Sequence, residues 1–379
     1  MKRTTQGFSH LLLTLTLLLS MVGCSGKEPT QTNRSDTAPT TLTIADLKEI
    51  LSALDASNST LTYCNGENEE THPANAAIRT KKYIKELQDY DVWETCQPPE
   101  SWNPSGEYYY KFHGDGISLI SYQSGFTGLQ PFHVTTDTGD GWFRLSDIPA
   151  EQDNSAQQFG WMVYDTFGKW YSEARTADLY RSTCPPLTAD ELDELEAYTA
   201  CQVSTYIEEW GGYTVSPTPI SCFFTSLYDD PRDMDANTFI TYCPSLKVLD
   251  SDDEDEFRLV QKKINFRATD GHLLTLEEMP TPCHRLPRSY INDILMQYAG
   301  ITIEDMHSDW KSNLCYVPET DCFYTFTSDF GPGAFNPSYG EKSGAIVTLW
   351  GASSCNEGPA VLTLQKNGNG WLIRSFQAI

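Results

Sequence analysis

Ser308-Asp-Trp-Lys311 has the Ser-x-x-Lys spacing in which a lysine amine activates a serine nucleophile for acyl transfer. Lys342-Ser343-Gly344 has the form of the basic triplet that accompanies such pairs. That chemistry needs the serine at the head of a buried helix and the triplet a whole domain away. Here about thirty residues separate them and strands follow Ser308, so the match reads as chance. The acidic run Asp250 to Glu256 (DSDDEDE) invites a calcium loop. An EF-hand needs glycine at its sixth position and glutamate at its twelfth. Asp255 and Gln261 stand there, so the run reads as a solvated acidic loop. Cys283 and His284 are adjacent and chelate poorly without distant partners; there is no Cys-x-x-Cys, and His113 and His133 fall on or between strands. No metal and no cofactor is expected. GxSxG, HExxH, GxGxxG and the P-loop are all missing from the sequence, so no catalytic residue is assigned. Among 52 acids no pair stands out for glycoside hydrolysis. Trp93, Trp102 and Tyr108, Tyr109 and Tyr110 form an aromatic cluster suited either to stacking on sugars or to hairpin packing. Alternation sends Tyr109, or else Tyr108 and Tyr110, to the outer face of a strand. Trp142 and Trp371, each after Gly-x-Gly, read as core caps of hairpins.

The elements that must position these residues follow from periodicity and turn chemistry. Thr43 caps a helix whose face carries Ile44, Leu47, Leu51 and Leu54. A weaker helix runs near Asn75 to Tyr90. Residues 108–122 form a hairpin around Asp115-Gly116, and residues 131–146 another, with its turn at Thr138 to Gly141. A helix from Ser155 to Arg175 repeats Phe159, Val163, Phe167 and Tyr171 every four residues. Cys184-Pro185-Pro186 interrupts the pattern. Beyond it, Thr188 and Glu191 have capping-box spacing, opening a helix with Leu192, Leu195, Val203, Tyr206 and Trp210. Another helix begins at Asp230-Pro231, with Ala236, Phe239, Ile240 and Cys243 inward. Residues 263–277 read as a hairpin around Asp270-Gly271. Pro287 to Ala299 is a helix ended by Gly300. A meander of strands at 313–317, 322–328, 344–350, 359–366 and 371–376 completes the chain. YKFHGDGISLIS resembles INFRATDGHLLT, and TDTGDGWFRLS resembles QKNGNGWLIRS; a repeated module and shared hairpin chemistry both account for this. The expected fold class is α+β in two modules, residues 43–183 and 187–379, each with helices packed on an antiparallel sheet or meander.

The amino terminus carries the clearest signal. Lys2 and Arg3 precede an apolar block from Leu11 to Val22, too short for a transmembrane helix of about 20 apolar residues. Met21-Val22-Gly23-Cys24 resembles the lipobox of bacterial lipoproteins, with methionine where that motif favours leucine. The resemblance implies a signal peptide at residues 1–23, removed to leave Cys24 as a lipid-modified amino terminus. Residues 24–42 hold no large apolar side chain before Leu42 and form a disordered tether, with an r.m.s. span of about 20–25 Å. The formal charge is −26; loss of Lys2 and Arg3 makes the mature chain −28. Such a surface repels nucleic acid and anionic headgroups, which excludes nucleic-acid partners and leaves lipid as the attachment. Of eleven cysteines, ten remain after Cys24, an even number that disulfides and free thiols both fit. Cys315 and Cys322 face each other if Pro318-Glu319 make a two-residue turn.

From Thr225 onward, TSLYDDPRDMDANTFITY, YINDILMQYAGITIEDM, ETDCFYTFTSDFG and VLTLQKNGNGWLIRSF resemble the carboxy-terminal domain of acidic lipoproteins from Gram-positive gut anaerobes. The resemblance implies a palmitate-type anchor and a place on the extracytoplasmic face of the cell membrane, and it transfers no active site. The function expected is a binding or interaction module with a protein or glycan partner. A cell-envelope hydrolase acting on glycan or peptide is the alternative. Replacing Cys24 with Ala is expected to release the protein from the membrane fraction; a variant that still sediments with membranes refutes the lipid anchor.

Overall fold

A computed structural model describes residues 40–90, 92–98, 108–123, 131–145, 156–207, 212–327, 333–355 and 358–379. The described chain is α+β, with helices packed on antiparallel sheets. Strand β1 (Thr40–Thr41) leads into helix α1 (Ile44–Ser52), where Thr43 and Asp46 close a reciprocal capping box. Strands β2 (Thr60–Asn65) and β3 (Glu69–Pro73), helix α2 (Thr80–Asp89) and β4 (Trp93–Thr95) follow. Next come β5 (Tyr108–Gly114), β6 (Ile117–Tyr122), β7 (Phe132–Thr135) and β8 (Gly139–Leu145). They join in the order β1-β8-β7-β6-β5-β2-β3, with β4 also on β8; only the β1–β8 pair is parallel. Asp115 and Gly116 both have positive φ (49° and 76°), as the two-residue turn between β5 and β6 requires.

The β7–β8 turn lies earlier than Thr138 to Gly141. Thr136 N donates to Gly139 O, and β8 has already begun at Gly139. A Cβ on Gly139 would lie 2.4 Å from Leu42 Cδ2, and one on Gly141 would lie 2.8 Å from Leu42 Cβ. Those glycines are strand positions that admit Leu42, rather than turn positions. Helix α3 (Ala156–Tyr180) crosses the sheet, burying Phe167, Trp170, Ala174 and Ala177 completely. Trp170 and Phe167 meet Phe112 and Phe132 of the sheet.

The chain enters its second core through Cys184-Pro185-Pro186. Leu187 N donates to Gly340 O and Lys342 N to Pro185 O. Helix α4 (Ala189–Tyr198) has the Thr188–Glu191 capping box and buries Leu192 and Leu195. It stops at Tyr198, before Val203, Tyr206 and Trp210. Gln202–Ile207 is strand β9, paired with β10 (Gly212–Pro217). The β-branched and aromatic run Val203, Thr205, Tyr206, Ile207 favours a pleated strand over continued helix.

Helix α5 (Ala236–Thr241) is capped by Asp235 after a 3₁₀ turn at Pro231–Asp233, and Ala236, Phe239, Ile240 and Cys243 are buried. After β11 (Lys247–Val248), the acidic run proves to be the opening of helix α6 (Glu254–Ile264), preceded by a 3₁₀ turn at Ser251–Asp253. Acids at a helix amino terminus are stabilised by the helix dipole. Phe257 and Val260 supply the buried face that marks this helix. Residues 263–277 therefore lack the expected hairpin strands; only a bridge from Arg267 to Leu273 spans the Asp270-Gly271 turn. The first rhyming pair shares no local structure, since β5–β6 is a hairpin whereas 264–275 is not; the second pair both turn into a strand, but Gly139 and Gly141 lie within β8 whereas Gly368 sits in its two-residue turn at positive φ.

Strand β12 (Cys283–Pro287), helix α7 (Arg288–Tyr298), helix α8 (Trp310–Asn313), β13 (Tyr316–Val317) and β14 (Cys322–Phe326) follow. A second sheet has the order β11-β12-β14-β13. Val317 pairs with Cys322 across a four-residue turn, and Tyr324 N donates to Cys315 O. Cys315 therefore lies opposite Tyr324 and does not face Cys322. All ten described cysteines are free. The last sheet is β15 (Phe335–Ser343), β16 (Ile346–Ser353), β17 (Pro359–Asn367) and β18 (Gly370–Ala378), in sequence order. Strand β15 is absent from the expected meander because Pro337 and Gly340 interrupt its pattern; a register shift at Pro337/Tyr339 accommodates the proline.

Pro39–Ile379 is one compact unit. Two polar knots join its first and second cores. Arg79, 7% exposed, donates through Nε to Glu173 Oε1 at 2.6 Å and through Nη1 to Asp193 Oδ1 at 2.7 Å and to Glu196. Its backbone N–H and the Tyr83 hydroxyl also reach Glu173, which is 2% exposed. Burial pushes the Glu173 carboxyl up, and Arg79 and Tyr83 hold that rise back. In the second knot Glu341 accepts from Ser182 N (2.6 Å), Ser182 Oγ (2.5 Å) and Tyr339 OH (2.8 Å). Burial raises the Glu341 pKa, but these bonds outweigh it and hold the carboxyl below its ordinary value.

Arg79→Met should cost about 3–5 kcal/mol by urea denaturation, because Glu173 is left buried and unpaired. The double variant Arg79→Met/Glu173→Met should cost less than the single one; equal losses would refute the pairing account. For Glu341 the depressed folded-state pKa makes its contribution complete above the unfolded carboxyl pKa and lost as pH falls through the folded value. Glu341→Gln should therefore be less stable than the parent at neutral pH, with the two stabilities converging in acid.

Candidate functional site

The described residues of the sequence motifs scatter. Ser308 precedes α8, and Lys311 Nζ sits over the Trp310 ring, 5.2 Å from its centroid. Lys342 pairs with Glu191 at 3.1 Å. Lys311 and Lys342 line different clefts, so no Ser-Lys-Lys centre forms. The acids of 250–256 are occupied locally. Asp253 meets Lys247 at 2.5 Å, Glu256 meets Arg285 at 3.2 Å and the Tyr324 hydroxyl, and Glu254 accepts from Leu276 N. Among the described residues no group of His, Cys, Asp and Glu is arranged to hold a metal. His284 has Ser245 Oγ at 2.9 Å and Thr327 O at 3.0 Å on its two nitrogens, beside a buried Cys283. His113 contacts Ser118 Oγ, while His133 contacts Asp140 and stacks on Trp142 at 4.2 Å.

The aromatic cluster divides. Trp93 is buried against Phe132, and Tyr110 turns inward to Tyr63 and Tyr171. Tyr109 takes the outer face beside Tyr122, which stacks on Trp142. Trp102 and Cys24 lie outside the described residues.

Trp371 is the residue that periodicity undervalued. It packs against the second core but also lines a cleft of about 450 Å³. Leu187 and the Glu191, Glu194 and Leu195 side of α4 form one wall. The β15–β16 turn, with Lys342 and Val347, and the β17–β18 hairpin, with Lys366 and Trp371, form the other. Gly344, at φ 61°, lets β15 reverse tightly at the rim. Tyr198 OH donates to Trp371 O, fixing the hairpin to the end of α4. Lys366 Nζ lies over the indole at 4.5 Å.

The N–H of Thr188, then Lys342, hold the Glu191 carboxyl below its ordinary value, so it stays a carboxylate within its capping box. Glycoside hydrolysis requires a carboxylic acid held protonated beside a second carboxylate. Glu191 does not supply that protonated acid. The indole Nε1–H of Trp371 is buried with no hydrogen-bond partner among the described residues. Such a donor costs about 1–3 kcal/mol when left unmet. The cleft falls within the size range of small-molecule sites and combines apolar walls with a few polar groups. Its one sequence signal was Gly-Asn-Gly-Trp371 beside a capping helix rich in acids, which hairpin packing explained equally well.

No family model, curated protein or solved structure matches the chain.

Proposed function

We propose that this protein is an extracytoplasmic binding module, held to the cell membrane by lipid on Cys24, whose ligand seat is the Trp371 cleft. One observation carries the reading: Trp371, whose buried indole N–H has no partner among the described residues, lines a cleft whose partnered glutamate is kept ionised. Binding needs an acceptor for that donor and an apolar surface for Leu187, Leu195 and Val347, and both are supplied by a small amphiphile bearing a carbonyl, hydroxyl or carboxylate. Lys366 and Glu194 offer opposite charges at the rim. The lipobox resemblance and the net charge of −26 support attachment by lipid rather than by basic residues. Among the described residues no helix is long and apolar enough to cross a membrane.

Native mass spectrometry of the protein extracted from its own membranes tests the reading. The parent should carry a bound small molecule, and Trp371→Ala should lose it while keeping its secondary structure. A parent that flies without an adduct, or an adduct that survives in the variant, overturns the assignment of the cleft. Turnover of cell-wall glycan or peptide by the parent would replace binding with hydrolysis.

A further inference from the structure

A second cleft, of about 380 Å³, opens where α5, α6, α8 and β14 meet. It shares no lining residue with the Trp371 cleft. Its charge is the reverse of the chain's. Lys263, from the end of α6, and Lys311, from α8, both line it, and among its described lining residues there is no acid. The Trp371 cleft sets Glu191 and Glu194 beside its lysines, and the cleft at Arg232 and Arg374 holds Asp230 and Asp305. In a sequence with 52 acids against 26 bases, two cations facing no acid are a local inversion.

Neither lysine is used in an ion pair. Lys82, Lys85, Lys247 and Lys342 each meet a carboxylate, whereas Lys263 and Lys311 meet none among the described residues. Lys263 lies in the last turn of α6, where the helix dipole favours a cation. Helix α8 has four residues, too few for a dipole to account for Lys311. The Lys263 charge reaches the cleft wall: burial pushes the Cys315 thiol up to about 11, and the Lys263 ammonium holds that rise back. Thr325, only 7% exposed, also lines the cleft and has no side-chain hydrogen-bond partner among the described residues. Ile264, Leu314 and Phe326 add apolar surface.

We propose that this cleft binds a small phosphate monoester with an apolar body, its phosphate held by Lys263 and Lys311. Two cations and no acid match the charge of such a phosphate, about −1.5 to −2 at pH 7, better than the single charge of a carboxylate. Lysine suits phosphate as a point charge, and the Thr325 hydroxyl is a further donor. The apolar surface takes the organic part. The ligand comes from solution rather than from a bilayer, because a body of this acidity is repelled by anionic headgroups. This site is independent of the Trp371 cleft.

Calorimetric titration of phenyl phosphate into the purified full chain tests this, in about 0.15 M salt, where charges farther than about 8 Å are largely screened. The parent should bind with a Kd of about 1 mM or below, and phenol at least about tenfold more weakly. Lys263→Gln and Lys311→Gln should each weaken binding about fivefold or more. Both lysines are exposed, so both variants should melt with the parent. Lys262→Gln makes the same charge change at a residue that does not line the cleft, and should bind as the parent does. Trp371→Ala should do the same, which separates this site from the Trp371 cleft. No binding at about 20 mM overturns the proposal, as does phenol binding as tightly as phenyl phosphate. A loss in Lys262→Gln equal to that in Lys263→Gln, or a loss confined to Trp371→Ala, overturns it too.

Discussion

The guanidinium of Arg79 is the constraint on which the arrangement of the helices depends. It lies under α2, takes Glu173 from α3, and reaches Asp193 and Glu196 on α4. A buried arginine cannot shed its proton to escape the low-dielectric interior, so each donor must be met where it stands. Three carboxylates from two helices meet it, and the Tyr83 hydroxyl satisfies Glu173 further. Loss of the cation would leave Glu173 charged in a dry site, or force it to take up a proton. The penalty runs through both cores, because α3 belongs to the first and α4 to the second.

That clamp reaches the cleft through the three faces of one short helix. Leu192 and Leu195 of α4 point into the second core, Asp193 and Glu196 point to Arg79, and Glu191 and Glu194 face Trp371. A spacing of three residues within each pair places each set on its own side. Turning α4 to improve one face would spoil the other two. The Glu341 knot restrains the opposite wall: Ser182, at the exit of α3, holds β15 one residue before Lys342, which in turn pairs with Glu191. Both walls of the cleft are thus referred to α3, and a long helix crossing a sheet is a stiff reference.

Much of the first core was legible from local rules. Thr43 with Asp46, Asp115-Gly116, and the Val163, Phe167 and Tyr171 stripe each combine a local preference with the burial the structure needs. The errors have physical causes of equal clarity. Gly139 and Gly141 look like turn residues, but their missing side chains make room for Leu42, a contact about a hundred residues distant in sequence that no local pattern can report. A helix is expected through Val203 and Tyr206 because apolar residues there keep helical spacing, but their β-branched and aromatic character is the stronger term and makes the segment β9. The acids of 250–256 resembled a ligand loop because charge without context does not distinguish a metal site from a helix start. Phe257 and Val260, three residues apart, held the answer.

The cleft was harder to read for a more general reason. Its members, Leu187 before α4, Glu191 and Glu194 on α4, Lys342 on β15, Lys366 on β17 and Trp371 on β18, are brought together only by the cores beneath them. Each is ordinary in its own segment: a cap, a helix surface, a hairpin lysine, a hairpin tryptophan. What the proposed site has is a tryptophan whose indole N–H lacks an acceptor among the described residues; Trp93 Nε1 in the first core lacks one too, but Trp371 differs in lining a cleft. The first core encloses Trp93, so no occupant can reach that indole, whereas Trp371 borders open space that the proposed ligand would fill.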